Sequence, residues 1–310
     1  MAFQTGTATS FINLLDALRL FATANGWTQN GWAAVGADQR LHLQKGTIYA
    51  NFLGQAAQAQ LKGSLGYNGA STWDAQPSTH AYSPKIRDGW YGAVTWPVTY
   101  WFFLHTAPDS IEVVIRYQPT RYLWLTFGAI TKYGTWPGGE FFCASSEHPT
   151  VGNDAVSMAA QIPGACNYPG LFVSKLGQFG YYAAPDIIHA EIDTFTWGSA
   201  TRKTFAEDSE VGSETNAGKH AYPLPQRSQS AFNGLTTLQP IELYMRRPDA
   251  HYSPLGRIEH ARYAIVTNHN AADIIDIGGQ KWMLFPWVEK GSAMDASGQH
   301  YGWAIKYDGP

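Results

Sequence analysis

Three residues with metal-ligand chemistry alternate along one short segment: His189, Glu191 and Asp193. On a strand, alternate residues share a face. The spacing would line up an imidazole and two carboxylates, a donor set that first-row metals accept. No second ligand cluster accompanies them, and the chain's 10 His show no i, i+4 pair of the zincin kind. An ordinary solvated strand face is therefore the better reading, and the sequence predicts no resident metal or cofactor.

The nucleophile candidates are equally bare. Gly63-Ser64-Leu65-Gly66 lacks the G-x-S-x-G spacing of a nucleophile elbow. No phosphate loop or dinucleotide fingerprint is present. Cys143 and Cys166 lie in aromatic and Gly/Pro surroundings, without the cationic neighbour that makes a reactive thiolate. They read as free, buried thiols. Two cysteines cannot build a four-ligand zinc site or a disulfide framework. Glu207, Asp208, Glu210 and Glu214 form an acidic run that reads as a solvated loop rather than a glycosidase pair.

The aromatic residues offer a different chemistry. Trp73, Trp90, Trp96 and Trp136 stand in or beside Gly/Pro loops, where exposed rings would suit a sugar platform. Core packing and interface anchoring is the plainer reading of the same residues.

These residues need elements to position them. Phe11, Leu14, Leu15, Leu18, Phe21 and Ala22 fall on one stripe of a 3.6-residue period and predict an amphipathic helix. Thr9 or Ser10 supplies its N-cap, and Asn25-Gly26-Trp27 its left-handed stop. Residues 40–44 and 47–52 read as a hairpin about Lys45-Gly46. Residues 55–90 are Gly-, Ser-, Ala- and Gln-rich and read as loop with one short helix. Val98–Leu104, Ile111–Tyr117 and Tyr122–Phe127 form an antiparallel meander, because their short turns exclude parallel crossovers. Residues 134–235 read as irregular. Strand-like runs return at 241–245, 262–267, 273–277, 281–285 and 302–307, the third and fourth joined by a Gly278-Gly279 turn.

Composition sets the class. The chain has 310 residues, a net charge of −3, 45% hydrophobic and 14% aromatic residues, and only 15% charged residues. Globular domains carry about 25% charged residues. High hydrophobicity with little charge excludes disorder. A slightly acidic chain is a poor nucleic-acid binder. No uncharged apolar run is long enough to span a bilayer as a helix, and no signal peptide is visible. Low charge with many aromatics suits a chain that buries surface against partners, since interface cores share that composition.

Several segments resemble tailed-bacteriophage virion proteins. They are the opening Phe3–Ser10 running into the Leu14-Leu15 helix and Asn25-Gly26-Trp27, and the segment Trp96–Phe102. Tyr252–Arg257 follows, with Asp273, Gly278–Trp282 and Phe285-Pro286-Trp287, and then the ending Gly302–Gly309. The resemblance covers the two ends and the meander, and leaves residues 140–235 unmatched. It implies a virion component of the tail or baseplate, assembled in the host cytoplasm, and it assigns no site residues.

The sequence thus predicts a β-dominated α+β fold, with an N-terminal helix packed on antiparallel sheet. It divides into a helix-plus-sheet region (1–135), a loop-rich insertion (136–240) and C-terminal antiparallel strands packing with the first region (241–310). The expected role is non-enzymatic. Its partners would be other virion structural proteins in a ring-forming homo-oligomer, with no nucleic acid and no membrane span. The alternative is a module binding host surface glycan through the loop tryptophans. A cell-wall hydrolase is a third class.

Overall fold

The computed structural model describes residues 1–77, 79, 85–87, 93–135, 142–145, 189–193, 196–197, 236, 238–246, 252–286, 289 and 301–309. Within them, one helix, α1 (Phe11–Ala24), packs against antiparallel sheets in a β-dominated α+β fold.

The seven-stranded sheet is the central layer. In spatial order it contains β1 (Ala2–Ala8), β7 (Val98–His105), β8 (Ser110–Gln118), β9 (Arg121–Gly128), β11 (Phe142–Ser145), β12 (His189–Asp193) and β13 (Thr196–Trp197). The predicted meander is its β7-β8-β9 core. Those strands are buried at most positions because both faces are covered. Phe102, Leu104, Ile111, Val113, Ile115, Leu125 and Phe127 point into the main core. Trp101, Phe103, Glu112, Tyr122 and Trp124 occupy the alternate positions and turn to the opposite face.

The first face is covered by α1 and a five-stranded sheet of β2 (Thr28–Val35), β3 (Asp38–Lys45), β4 (Ile48–Gly54), β5 (Gln58–Ser64) and β6 (Lys85–Arg87), paired consecutively. Ser10 caps α1, its Oγ accepting from the Asn13 amide at 3.0 Å, while Asn13 Oδ1 accepts from the Thr9 amide at 3.1 Å. At the other end Gly26 takes φ +83°, and the Trp27 amide returns to the Ala22 carbonyl at 3.1 Å. The predicted stripe is buried inside the chain, with Phe21 against Phe102 and Phe11 against Trp96. The helix crosses closely over Gly54, where an added Cβ would lie 3.2 Å from Leu15 Cδ2.

The second face carries a six-stranded sheet. Its order is β10 (Thr131–Lys132), β15 (Tyr252–Ile265), β18 (Tyr301–Lys306), β17 (Gln280–Pro286) and β16 (Ile274–Ile277), with β14 (Gln239–Arg246) also on β15. Aromatic contacts lock the layers: Phe285 on Trp101 and Phe103, and Trp303 on Trp124.

Three local readings change. Ala2–Ala8, to which the sequence assigned no element, is a strand paired with β7 from Ala2↔Leu104 to Ala8↔Val98. Its small residues give a weak strand signal, and its partner lies about a hundred residues away. Gly6 suits this place because the Tyr100 hydroxyl would lie 2.6 Å from a Cβ there. The stretch read as loop contains β5 and β6. In β5 the inward positions are Ala59, Leu61 and Gly63, too small and few to register as alternation. Residues 134–235, read as irregular, contribute β11, β12 and β13 to the central sheet.

Candidate functional site

Three arrangements of polar groups on this frame bear on function. The first is a network inside the five-stranded sheet. Register sets His42 opposite Asn51 on β3 and β4. His42 Nδ1 donates to Asn51 Oδ1 at 2.8 Å, and Asn51 Nδ2 donates to Ser64 Oγ at 2.9 Å. Ser64 Oγ in turn donates to the Gly66 carbonyl at 2.7 Å. All three residues are buried, and burial holds the His42 pKa below its usual value. A hydroxyl that is buried and already donating is no nucleophile. The network satisfies polar groups inside a sheet.

The second lies between the central and six-stranded sheets. Glu112 is fully buried and accepts from the Trp124 indole N–H at 2.8 Å. Burial pushes its pKa up to about 8, against the opposing hydrogen bond of Trp124, so the carboxyl is largely protonated at neutral pH. One rung along, His105 stacks on His260. His260 Nε2 lies 3.1 Å from the Pro108 carbonyl, which fixes the proton on Nε2 and leaves Nδ1 as a bare acceptor. Burial lowers both imidazoles, His260 to about 4 and His105 well below its usual value. His105 Nε2, Ser110 Oγ, His260 Nδ1 and Trp303 Nε1 are buried without a hydrogen-bond partner among the described residues. The layer is uncharged at neutral pH and closed to solvent.

The third is a partly open cleft of about 420 Å³ at the end of the same interlayer space. Trp101, Arg116 and Tyr122 form its floor, with Arg116 directly opposite Tyr122 in register and Trp101 diagonal to Arg116. The turn after β15, residues 267–271, and Glu289 form its walls. The Tyr122 hydroxyl donates to Glu289 Oε1. Burial, and then Glu289, raise the Tyr122 pKa above its ordinary value. Arg116 Nη2 lies 3.8 Å from Glu289 Oε1, and its guanidinium also donates to the Pro119 carbonyl. His269 Nδ1 lies 3.8 Å from Asp273 Oδ2, while its Nε2 is buried without a partner among the described residues. The Asn270 amide donates to Asp273 Oδ2 at 2.7 Å, which orders the turn.

The candidates singled out by sequence fall elsewhere. His189, Glu191 and Asp193 lie on β12, with His189 opposite Cys143 and a register shift between Glu191 and Asp193. Their side chains lie outside what the structure describes. Among the described residues no three His, Cys, Asp or Glu side chains converge as metal ligands would. Trp96 is partly buried and meets Phe11 edge-on at 4.9 Å. Trp73 has the Lys62 ammonium over its ring at 5.5 Å. Trp90, Trp136, Cys166 and the acidic run Glu207–Glu214 lie outside the described residues. Cys143 is a free buried thiol whose pKa burial pushes far above the usual range. No helix among the described residues is long and apolar enough to cross a membrane.

Sequence reasoning missed Trp101, Arg116, Tyr122, Glu112 and His105. A signal was present: Glu112, Arg116 and His105 are charged or titratable residues set inside otherwise apolar strands. Such positions cost free energy unless paired or used.

Comparison with protein-family models finds no match to this chain, and comparison with curated proteins finds none either.

Proposed function

We propose that this chain is a non-enzymatic structural component of a tailed-phage virion, in the tail or baseplate, working through protein–protein contacts in a ring-forming assembly. The observation that carries the reading is an apolar strand edge. β16 is the last strand of its sheet among the described strands, and Ile274 and Ile277 are 47% and 39% exposed on it. A strand edge with exposed isoleucines is an aggregation hazard unless a partner covers it. A neighbouring subunit that adds its own strand satisfies both the free backbone groups and the side chains. Heterologous contacts of this kind close into rings when the rotation allows.

Two further features support the reading. The segments Phe3–Ser10, Trp96–Phe102 and Gly302–Gly309 resemble tailed-phage virion proteins, and in this fold they build neighbouring parts of one frame. β1 pairs with β7, and Phe3 packs edge-on against Tyr307 at 5.0 Å. The low charge and high aromatic content suit a subunit that shares much of its surface.

The test is mass spectrometry and cryo-EM of purified particles from a phage encoding this chain. The expected result is a fixed copy number that matches the tail's rotational symmetry. Absence from purified particles overturns the proposal.

A further inference from the structure

We propose that the cleft floored by Trp101, Arg116 and Tyr122 is a binding site for a neutral sugar ring. This proposal does not rest on the virion reading, since a chain absent from particles would still possess the cleft.

Size comes first. A volume of about 420 Å³ falls within the ~300–1,000 Å³ typical of small-ligand sites. It is far too small for a folded partner and too polar for a lipid chain. The partly exposed Trp101 ring and a few polar groups form the lining, with Tyr122 buried beneath them. Such a combination suits a ligand with one apolar face and a hydroxyl rim. A pyranose is that ligand: its axial C–H groups form a flat apolar patch that packs on an aromatic ring, and its hydroxyls both donate and accept.

Charge then selects among small polar ligands. Among the described residues, Arg116 is the only Lys or Arg on the lining. Its guanidinium is already engaged by the Pro119 carbonyl and faces the Glu289 carboxylate at 3.8 Å. A phosphate or carboxylate would meet that carboxylate's repulsion, and no second cation among the described lining residues offsets it. A cationic ligand would meet Arg116. A neutral ligand avoids both costs, and adjacent Arg and Glu groups suit vicinal hydroxyls, one donating to a diol and one accepting from it.

The wall supplies directionality. His269 lines the cleft and carries a buried Nε2 without a partner among the described residues. Such an orphan costs free energy that a ligand hydroxyl would recover. The Asn270 side chain stands on the same turn, whose backbone Asp273 holds in place before any ligand arrives. A preformed wall lowers the ordering cost of binding.

The experiment is saturation-transfer NMR and titration on the full chain. The probes are methyl glucoside, methyl galactoside, methyl mannoside and N-acetylglucosamine, with inorganic phosphate as the anion arm. The expected result is saturable transfer to at least one sugar. Asn270→Ala should weaken it by about tenfold, the scale of a lost hydrogen bond, and Trp101→Ala should abolish it. Thermal melts accompany both variants. Should Trp101→Ala fail to fold, Glu289→Gln takes its place, since it keeps the shape and the Tyr122 acceptor while removing the charge. Its expected loss is also about tenfold, as a charged acceptor becomes neutral. No saturable transfer from any of the four sugars overturns the proposal. So does sugar binding unchanged in every folded variant, or binding of phosphate in place of sugar.

Discussion

The imidazole rings of His105 and His260 stack with centroids 4.3 Å apart and planes 12° from parallel, although 155 positions separate them in the chain. His105 ends β7 of the central sheet and His260 lies within β15 of the six-stranded sheet, so the pair is a polar rivet between two layers. It is stable only while both rings are neutral, because burial strips the solvation that a charged imidazole needs. The neighbouring Glu112 must likewise stay protonated to be tolerated in the same layer.

Acid should therefore loosen the layers. The unfolded chain takes up a proton on each His near pH 6.5, while the folded chain resists until about pH 4 at His260 and until well below the usual value at His105. Between those values the unfolded state binds more protons, so stability falls as pH drops. Urea melts at pH 7, 6, 5 and 4.5 should show this fall. His105→Leu should make it shallower, because one of the two buried imidazoles that resist protonation is gone.

Alkali should act through Glu112 with the opposite sign. Its folded pKa is about 8 against the usual 4.5, so the folded state holds a proton that the unfolded state has lost. Stability then decreases as pH rises from about 4.5 to 8, by up to a few kcal/mol in all. With the histidines opposing, the layer contributes most near pH 6.5. Glu112→Gln keeps an oxygen for the Trp124 N–H and cannot ionise. Its melting temperature should stay level between pH 6.5 and 8.5, where the wild-type value declines.

The helix stripe should prove intramolecular in solution. Leu15 and Leu18 are buried against the chain's own sheets. Leu15→Ala or Leu18→Ala should cost about 2–5 kcal/mol and lower the melting temperature of the isolated chain. Ser10→Ala should cost about 1 kcal/mol through loss of the cap. Unchanged melts for the leucine variants would contradict the observed packing.

The β16 edge should separate stability from assembly. Ile274 and Ile277 are exposed, so Ile274→Lys and Ile277→Lys should shift folding stability by no more than about 0.5 kcal/mol. On the proposed ring assembly, sedimentation should show an oligomer for wild type that the purified double variant lacks. An oligomer that survives both substitutions places the subunit contact elsewhere.

What the sequence determined by itself was local. The α1 stripe, a cap at Thr9 or Ser10 and its Gly26 stop follow from a 3.6-residue period and from backbone angles that few residues adopt, while the structure chose Ser10. The hairpin turns at Gly46 and Gly278-Gly279, all at positive φ, are legible for the same reason. The β7-β8-β9 meander was legible because its turns are too short for any other connection. Only the tertiary structure decided that β1 pairs with β7, that β5 is a strand, and that both faces of the meander are buried. It alone brought Trp101, Arg116 and Tyr122 beneath residues 267–271 and Glu289, and His105 against His260. Those neighbours lie more than a hundred residues apart, and no local period or turn preference encodes such a pairing. It is selected by the summed burial of three layers, in which a polar residue such as Glu112 is carried inward by the apolar residues on either side of it.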